Sequence, residues 1–273
     1  MNRILFEYKG IVIYWYSVFM LLAIILSSIV ITKEAKRKNI SKDFVTNLIF
    51  WCVIVGFIGA RLYYVAFNFD LYKDNPIDIL KVWEGGLAIH GGLLAGLLMF
   101  LIYTTKYKVN KKIMLDITTV GILLGQAVGR WGNFFNGEAH GPATTLQTLQ
   151  NLHLPKFIID GMNINGIYYI PTFFYEFSWD LLGFIILFIL MKKSKRIKKG
   201  QLTGLYMIIY SIGRFVVEHF RTDSLMLANF KMAQIFSIVL FIIGIILVIV
   251  SNKGSHFDNL YNEEKMPEIK TSL

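Results

Sequence analysis

Residues 12–31 read VIYWYSVFMLLAIILSSIVI, and residues 32–42, which follow directly, read TKEAKRKNISK. The first stretch holds twenty residues without a charge, the length that a helix needs to cross a hydrocarbon core of roughly 30 Å. The second stretch carries five lysines and arginines, which are typical of the cytoplasmic end of a span. The apolar run is too long for a cleaved signal peptide, and no small-residue cleavage site follows it. We therefore interpret it as a retained membrane span.

Six further runs of this kind follow, at about 45–67, 86–104, 113–130, 172–191, 201–220 and 232–251. Hydrophobic residues make up 55% of the 273 residues and charged residues only 17%, whereas a soluble domain carries about 25%. No internal repeat stands out. The sequence predicts an all-α polytopic membrane protein with seven transmembrane helices, formed by residues 1–273 as a single membrane-embedded domain.

The basic residues predict the orientation of these spans. Three alternate loops hold 15 of the 28 lysines and arginines, and cytoplasmic loops are enriched in such residues. We expect the N-terminus outside, the C-terminus inside and a cytoplasmic tail at residues 252–273. The net charge of +10 is thus explained by membrane topology, and no nucleic-acid partner is expected.

The longest external segment, residues 131–171, is predicted to form a small external head. Its β-branched and aromatic residues flank two dipeptides, Asp160-Gly161 and Asn165-Gly166, either of which suits the tight turn of a β-hairpin. Residues 68–85 form the second external element, and their aromatic side chains are ordinary interfacial anchors.

The composition excludes several classes of site. The single cysteine, Cys52, lies inside an apolar run, and the five histidines lack the spacing of metal ligands. No metal and no cofactor are expected. A membrane protease is disfavoured because no Ser-His-Asp set, pair of catalytic aspartates or HExxH motif is present.

Ionisable residues inside apolar spans are informative because each costs about 2.5–3.5 kcal/mol at a helix centre. With the predicted orientation, most of them lie in the extracytoplasmic half of the bilayer. Asp116 is the exception, and we interpret it as structural or interfacial. The residues concerned are Arg61, His90, Asp116, Arg130, Glu176, Asp180, Arg214, Glu218 and His219.

The sixth span places Tyr210, Arg214 and Glu218 four residues apart, and therefore on one helix face, with Arg221 three residues further. Arg214 and Glu218 could simply pair with each other. Two arginines beside one glutamate, however, leave positive charge for an anion.

The fourth span places Gln126, Arg130 and Asn133 along a similar polar stripe. An adjoining stripe of Gly121, Gly125 and Gly129 favours close helix packing. Arg130 alone could extend to the headgroup region, but this does not explain the asparagines and glutamate that follow it in GRWGNFFNGEAHGP (129–142).

Arginine suits phosphate because its guanidinium donates two parallel hydrogen bonds, and a phosphate at this depth belongs to a phospholipid. His90 is followed by two glycines in AIHGG, which permit close approach of a backbone or a ligand. It is either a structural histidine or an acid-base group.

Two other functions stay open, a transporter or channel for an organic anion and a scaffold that binds anionic lipid. A transporter should show repeats and polar groups on both sides of the bilayer.

The motifs together resemble the prolipoprotein diacylglyceryl transferases of the bacterial cytoplasmic membrane, with a Gram-positive character. The resemblance covers almost the whole chain in order, through YWY, GARLYYV, WEGGLAIHGG, GRWGNFFNGEAHG, PTFFYE and YSIGRFVVEHFRTDSL. It implies transfer of the diacylglyceryl group of phosphatidylglycerol to the lipobox cysteine of a prolipoprotein signal peptide, with a thioether and glycerol phosphate as products.

The resemblance also implies roles for residues. Arg130 and Arg214 would hold the lipid phosphate, and His90 is the candidate base for the cysteine thiol. Family members commonly carry a histidine and often a glutamine where Ile170 and Phe173 stand in this chain. Their absence here favours His90 as the catalytic base. The predicted catalytic residues are thus His90, Arg130 and Arg214, and the predicted substrate-binding residues are Tyr16, Arg61, Arg130, Asn133, Asn136, Glu138, Gly141, Tyr210, Arg214 and Glu218.

Overall fold

The structure is a computed structural model that describes residues 3–8, 11–222, 224, 226–227, 230–253 and 260–262. The described chain is mostly helical, with three small antiparallel sheets. In chain order its elements are β1 (Ile4–Tyr8), β2 (Ile11–Tyr14), α1 (Trp15–Arg37), α2 (Lys42–Phe67), α3 (Ile89–Lys106), α4 (Lys111–Asn136), β3 (Ala143–Thr144), α5 (Leu146–Asn151), α6 (Lys156–Gly161), β4 (Asn163–Ile164), β5 (Ile167–Tyr169), α7 (Thr172–Lys193), α8 (Gln201–Phe220), β6 (Met226–Leu227), β7 (Phe230–Lys231) and α9 (Met232–Lys253).

Six of the described helices are long and apolar enough to cross a membrane, namely α1, α2, α3, α4, α7 and α9. The chain is therefore a polytopic membrane protein. The seventh predicted span corresponds to α8, which has 20 residues but is not among the six because its polar side chains lower its mean hydropathy.

The helices belong to two compact units. The first comprises the described residues within Met1–Ile31 and Leu115–Glu264, and the second contains Thr32–Met114. In the first unit, glycines of α4 contact α1 closely, as the small-residue stripe predicted. An ideal Cβ at Gly121 would lie 2.5 Å from Ile31 Cγ1, and one at Gly125 would lie 2.4 Å from Ser27 Oγ. Gly129 makes only an ordinary contact.

The predicted head, residues 131–171, contains the predicted hairpin. Strands β4 and β5 pair antiparallel around Asn165 and Gly166, which have φ of +54° and +85°. The alternative turn at Asp160-Gly161 is wrong, because these two residues end α6. Strand β3 adds to β5, and the side chains of the head form a buried cluster with the ends of α4 and α7, made of Phe134, Leu149, Ile158, Ile159, Met162 and Phe173.

In the second unit, α2 and α3 pack backbone against backbone. An ideal Cβ at Gly59 would lie 2.8 Å from the carbonyl oxygen of Gly91, and one at Gly56 would lie 3.2 Å from that of Gly92. Three short 3₁₀ turns, Phe69–Leu71, Pro76–Leu80 and Val82–Glu84, connect the two helices.

The predicted tail at residues 252–273 is described only in part, since residues 254–259 and 263–273 lie outside the described ranges. Tyr261 is fully buried, and its backbone N–H donates to the carbonyl of Ile197 at 2.8 Å. This part of the tail therefore packs on the loop between α7 and α8.

Asp116 has the structural role that was one of its two predicted interpretations. Its side chain is fully buried on α4, and it accepts the backbone N–H groups of Gly200 at 2.6 Å and Thr203 at 2.8 Å. The Thr203 hydroxyl donates to it at 2.7 Å. The carboxylate thus satisfies N–H groups that the start of α8 leaves without helical partners.

We predict that Asp116→Ala lowers the stability of the protein by about 2–3 kcal/mol, because a cap is lost and buried donors lose their acceptor. Thermal unfolding in detergent measures the change. The control is Asp70→Ala, since Asp70 forms only an exposed pair with Lys73 and should contribute well under about 1 kcal/mol. Equal melting temperatures for Asp116→Ala and the control would contradict the capping role.

Candidate functional site

The centre of the site is an arginine that two carboxylates hold. Arg214 on α8 contacts Glu176 of α7 through Nη1, at 2.6 Å from Oε1. Its Nη2 lies 2.7 Å from Oε2 of Glu218, one turn further along α8. The predicted pair between Arg214 and Glu218 is therefore present, but it is part of a larger cluster.

Arg130 on α4 joins the same cluster through longer contacts. Its Nη1 lies 3.3 Å from Oε2 of Glu176, and its Nε lies 3.9 Å from Oδ2 of Asp180. The buried Nε has no hydrogen-bond acceptor among the residues that the structure describes. Arg130 is thus held by longer contacts than Arg214, and its Nε–H makes no hydrogen bond to the described residues.

The cluster balances charge without satisfying every polar atom. Arg221 lies 3.9 Å from Glu218, so that three arginines face three carboxylates. The residues Glu176, Asp180 and Glu218 are at most 4% exposed, and each has one carboxylate oxygen without a hydrogen bond within the described ranges. Such buried charge is costly unless paired, and in membrane spans it marks functional sites.

Glu176 and Asp180 are evident in the sequence as charges within an apolar span, but they are not among the predicted site residues. Their spacing of four residues places both on one face of α7, and this was the available signal. What the sequence does not give is the packing of that face against Arg130 and Arg214.

The asparagines and the glutamate of GRWGNFFNGEAHGP form a polar wall at the end of α4. The amides of Asn133 and Asn136 both donate to Oε1 of Glu138, at 3.0 and 3.4 Å. Gly137 and Ala139, with φ of +64° and +58°, turn the chain so that Glu138 points back towards the helix. Three predicted substrate-binding residues are thus brought together.

A cavity of about 310 Å³ adjoins this wall. Tyr16 is among its lining residues, and it packs on α4 where an ideal Cβ at Gly132 would lie 3.0 Å from its ring. Arg3, which no sequence motif indicates as a site residue, also lines the cavity. The full lining consists of Arg3, Tyr14, Tyr16, Ser17, Asn136 and Glu138.

Gly141 has a packing role next to this wall. Its N–H donates to the carbonyl of Ile170 at 2.8 Å, and an ideal Cβ would lie 2.9 Å from Ile170 Cβ. The hydroxyl of Thr172 donates to the carbonyl of Ala139 beside it. These contacts show Gly141 joining the turn after α4 to the start of α7, which favours a positioning role over the predicted contact with the headgroup.

Tyr210 lies one turn before Arg214 on α8, as predicted, and its ring stacks on that of Tyr206 with the centroids 6.0 Å apart. Tyr206 in turn donates its hydroxyl hydrogen to Oε1 of Gln126 on α4, at 3.2 Å. The polar stripes of α4 and α8 are therefore joined directly by a hydrogen bond and indirectly by the ion pairs that both make with Glu176 of α7.

Two further predicted residues, Arg61 and His90, belong to the second unit. Arg61 is buried at the end of α2, and its guanidinium donates to carbonyl oxygens of the connecting segment at 2.7 to 3.5 Å. A guanidinium has five N–H groups, and five carbonyls accept from this one. No N–H is left for a phosphate, which favours a positioning role for Arg61 over the predicted contact with substrate. The acceptors are Asp78, Ile79, Lys81, Gly85 and Gly86.

His90 stands exposed at the start of α3, beside the ring of Tyr63 with centroids 6.5 Å apart. The two glycines after it serve close backbone approach. An ideal Cβ at Gly91 would lie 2.2 Å from Tyr63 Cβ, and one at Gly92 would lie 3.3 Å from the carbonyl oxygen of Gly56. The glycines thus pack α3 on α2, and His90 is the group left at the surface of this unit.

Comparison with known proteins gives the family. A family model described as prolipoprotein diacylglyceryl transferase matches residues 3–250. Three relatives carry the name phosphatidylglycerol–prolipoprotein diacylglyceryl transferase. The protein of Enterococcus faecalis is 45% identical over 97% of this chain and 95% of its own length. That of Bacillus cytotoxicus is 44% identical over 97% of both chains, and that of Staphylococcus saprophyticus is 46% identical over 91% of this chain and 89% of its own. The chain therefore belongs to the prolipoprotein diacylglyceryl transferase family.

Proposed function

We propose that this protein is a membrane enzyme that transfers the sn-1,2-diacylglyceryl group of phosphatidylglycerol to the lipobox cysteine of prolipoprotein signal peptides. This is the first step of lipoprotein maturation. The names of the relatives support the two substrates and the reaction. The observation that carries the proposal is Arg130, a half-buried arginine whose Nε–H makes no hydrogen bond within the described part of the chain, beside the firmly held Arg214.

The reaction forms one bond and breaks one. The cysteine sulfur attacks the glycerol carbon that carries the phosphate, so that a C–S thioether bond forms as the C–O bond breaks. The electron pair of that bond leaves with the phosphate oxygen, and glycerol phosphate is released. Arg130 and Arg214 stabilise the charge that develops on the leaving phosphate, where fixed donors contribute most to a rate.

The thiol must lose its proton for this attack, since the thiolate is the nucleophile and a free cysteine has a pKa near 8.5. His90 takes that proton in our proposal, because a histidine exchanges protons near neutral pH. No metal or cofactor takes part in the proposed steps.

The remaining predicted residues surround the headgroup. Asn133, Asn136 and Glu138 form one wall, and Tyr16 and Tyr210 lie on neighbouring helices beside it. Glu218 and Glu176 hold Arg214, and Gly141 positions the turn after α4. Arg61 orders the segment between α2 and α3 within its own unit. This assignment is supported by the contacts within each unit.

The proposal includes the topology. Seven spans, counting α8, place the N-terminus outside and the C-terminus inside, because the basic loops then all lie in the cytoplasm. The arginine cluster then faces the extracytoplasmic leaflet of the bacterial cytoplasmic membrane, where phosphatidylglycerol and the exported signal peptide meet.

Purified protein, incubated with phosphatidylglycerol vesicles and a lipobox peptide, should convert the peptide to a product heavier by one diacylglyceryl unit. Mass spectrometry measures the gain, and the release of glycerol phosphate should match it. A peptide with serine in place of the lipobox cysteine is the control and should gain nothing. Folded protein that binds the lipid without any mass gain would instead support a lipid-binding scaffold, and transport of an organic anion without it would support a transporter.

Arg130→Ala should lower kcat/KM by at least about 100-fold, because a fixed donor to the leaving group is lost. Arg214→Ala should lose as much activity and also unfold at a lower temperature, because Glu176 and Glu218 lose a buried partner, at a cost of about 3–5 kcal/mol. The control is Arg196→Ala, at an exposed position in the loop after α7. Full activity in either site variant would remove that arginine from the mechanism.

His90→Gln should lower kcat by about 100-fold or more with little change in KM for the lipid, since general-base catalysis contributes on that scale. Raising the pH towards 9 should restore part of the rate, because the thiol then ionises without help. The control is His219→Gln, whose histidine lies exposed at the end of α8. Retained activity of His90→Gln at neutral pH would exclude the general-base role.

A further inference from the structure

A second polar pair lies beside the arginine cluster and is not used by the steps above. Tyr206 of α8 donates its hydroxyl hydrogen to Oε1 of Gln126 of α4 at 3.2 Å, and both side chains are half-buried. Tyr206 also lies within electrostatic range of Asp180 and Arg130. The pair is therefore continuous with the cluster that holds the arginines.

The pair lies deeper along the helices than the arginines do. Gln126 precedes Arg130 by four residues of the same helix, which places it one turn, or about 6 Å, from Arg130 on the same face. Tyr206 precedes Arg214 by eight residues on the corresponding stripe of α8. Both residues are thus displaced from the arginines towards the middle of the spans, away from the head.

The Gln126 amide has a donor to offer. A glutamine side chain carries one carbonyl oxygen and two N–H groups, and Tyr206 occupies only the oxygen. Over the part of the chain that the structure describes, no protein group accepts from the amide nitrogen. With the amide turned round, one N–H would reach Tyr206 and the other would still be available. Gln126 is half-buried, and an amide donor shielded from water costs free energy when it stays without an acceptor.

A phospholipid whose phosphate contacts Arg130 and Arg214 brings an acceptor to this depth. Its ester carbonyls are attached to the same glycerol as the phosphate and lie on the side of the acyl chains. A carbonyl oxygen accepts and cannot donate, which matches the available N–H.

We propose that Gln126, oriented by Tyr206, binds an ester carbonyl of the diacylglyceryl group and so makes the enzyme selective for ester-linked lipid. This inference rests on the proposed function and extends the lipid site from the headgroup to the ester region.

The test compares two lipids that differ only at the carbonyls, diacyl phosphatidylglycerol and its dialkyl ether of equal chain length. KM and kcat for each lipid are measured in mixed micelles with a saturating lipobox peptide. For the unaltered enzyme we expect KM to be about fivefold higher for the ether lipid, the effect of one neutral hydrogen bond. Gln126→Leu should raise KM for the ester lipid to the ether value and leave the ether value unchanged.

Two variants keep the test decisive. Tyr206→Phe removes a single hydroxyl group. It should lower the ratio of KM for the ether lipid to KM for the ester lipid part of the way towards one. Gln234→Leu is the matched control, because the Gln234 amide nitrogen already donates to the carbonyl of Phe215 at 3.3 Å. This variant should keep the KM ratio of the unaltered enzyme.

Equal KM values for the ether and ester lipids in the unaltered enzyme would overturn the inference. A Gln126→Leu variant that raises KM equally for both lipids would overturn it as well. Neither result touches the proposed function, which fails only if the unaltered enzyme transfers nothing from the ester lipid.

Discussion

The site depends on one carboxylate that lies between two arginines inside a membrane protein. Glu176 contacts Arg214 with one oxygen and Arg130 with the other, at 2.6 and 3.3 Å. A buried arginine needs a partner charge, and one shared by two arginines also fixes the distance between them. Because the second contact is longer, the same carboxylate holds one arginine firmly and leaves the other able to turn towards an anion.

The helices that carry these charges are brought into contact by residues outside the ion-pair cluster. Glycines of α4 admit Ile31 and Ser27 of α1, and the Asp116 carboxylate ties the start of α8 to α4. The second contact helps to fix the register of the stripe that carries Arg214 relative to the stripe that carries Arg130. The stabilising contacts at one end of the two helices therefore support the geometry of the ion pairs at the other end.

The sequence predicted those features that follow from periodicity, and it missed those that need packing. The spacing of Tyr210, Arg214 and Glu218 on one helix is enough to place them on one face, and Asn165-Gly166 is enough to predict a turn. The role of Glu176 requires the contact of α7 with two other helices. For Arg61 the sequence predicts a substrate contact where the structure shows a structural one. An arginine in an apolar span suggests a bound anion, but five carbonyl groups of the irregular segment after α2 accept its N–H groups.

The two polar levels of α4 and α8 match the chemistry of a lipid better than that of a soluble anion. A site for a small phosphate needs only the level of Arg130 and Arg214. Further polar groups deeper in the spans would cost free energy without contributing to its binding. Gln126 lies about one turn below Arg130, Tyr206 lies about two turns below Arg214, and the pair leaves an amide donor available. A ligand with a phosphate at one end and neutral carbonyl oxygens nearer its acyl chains satisfies both levels at once, and this arrangement is that of a diacyl glycerophospholipid.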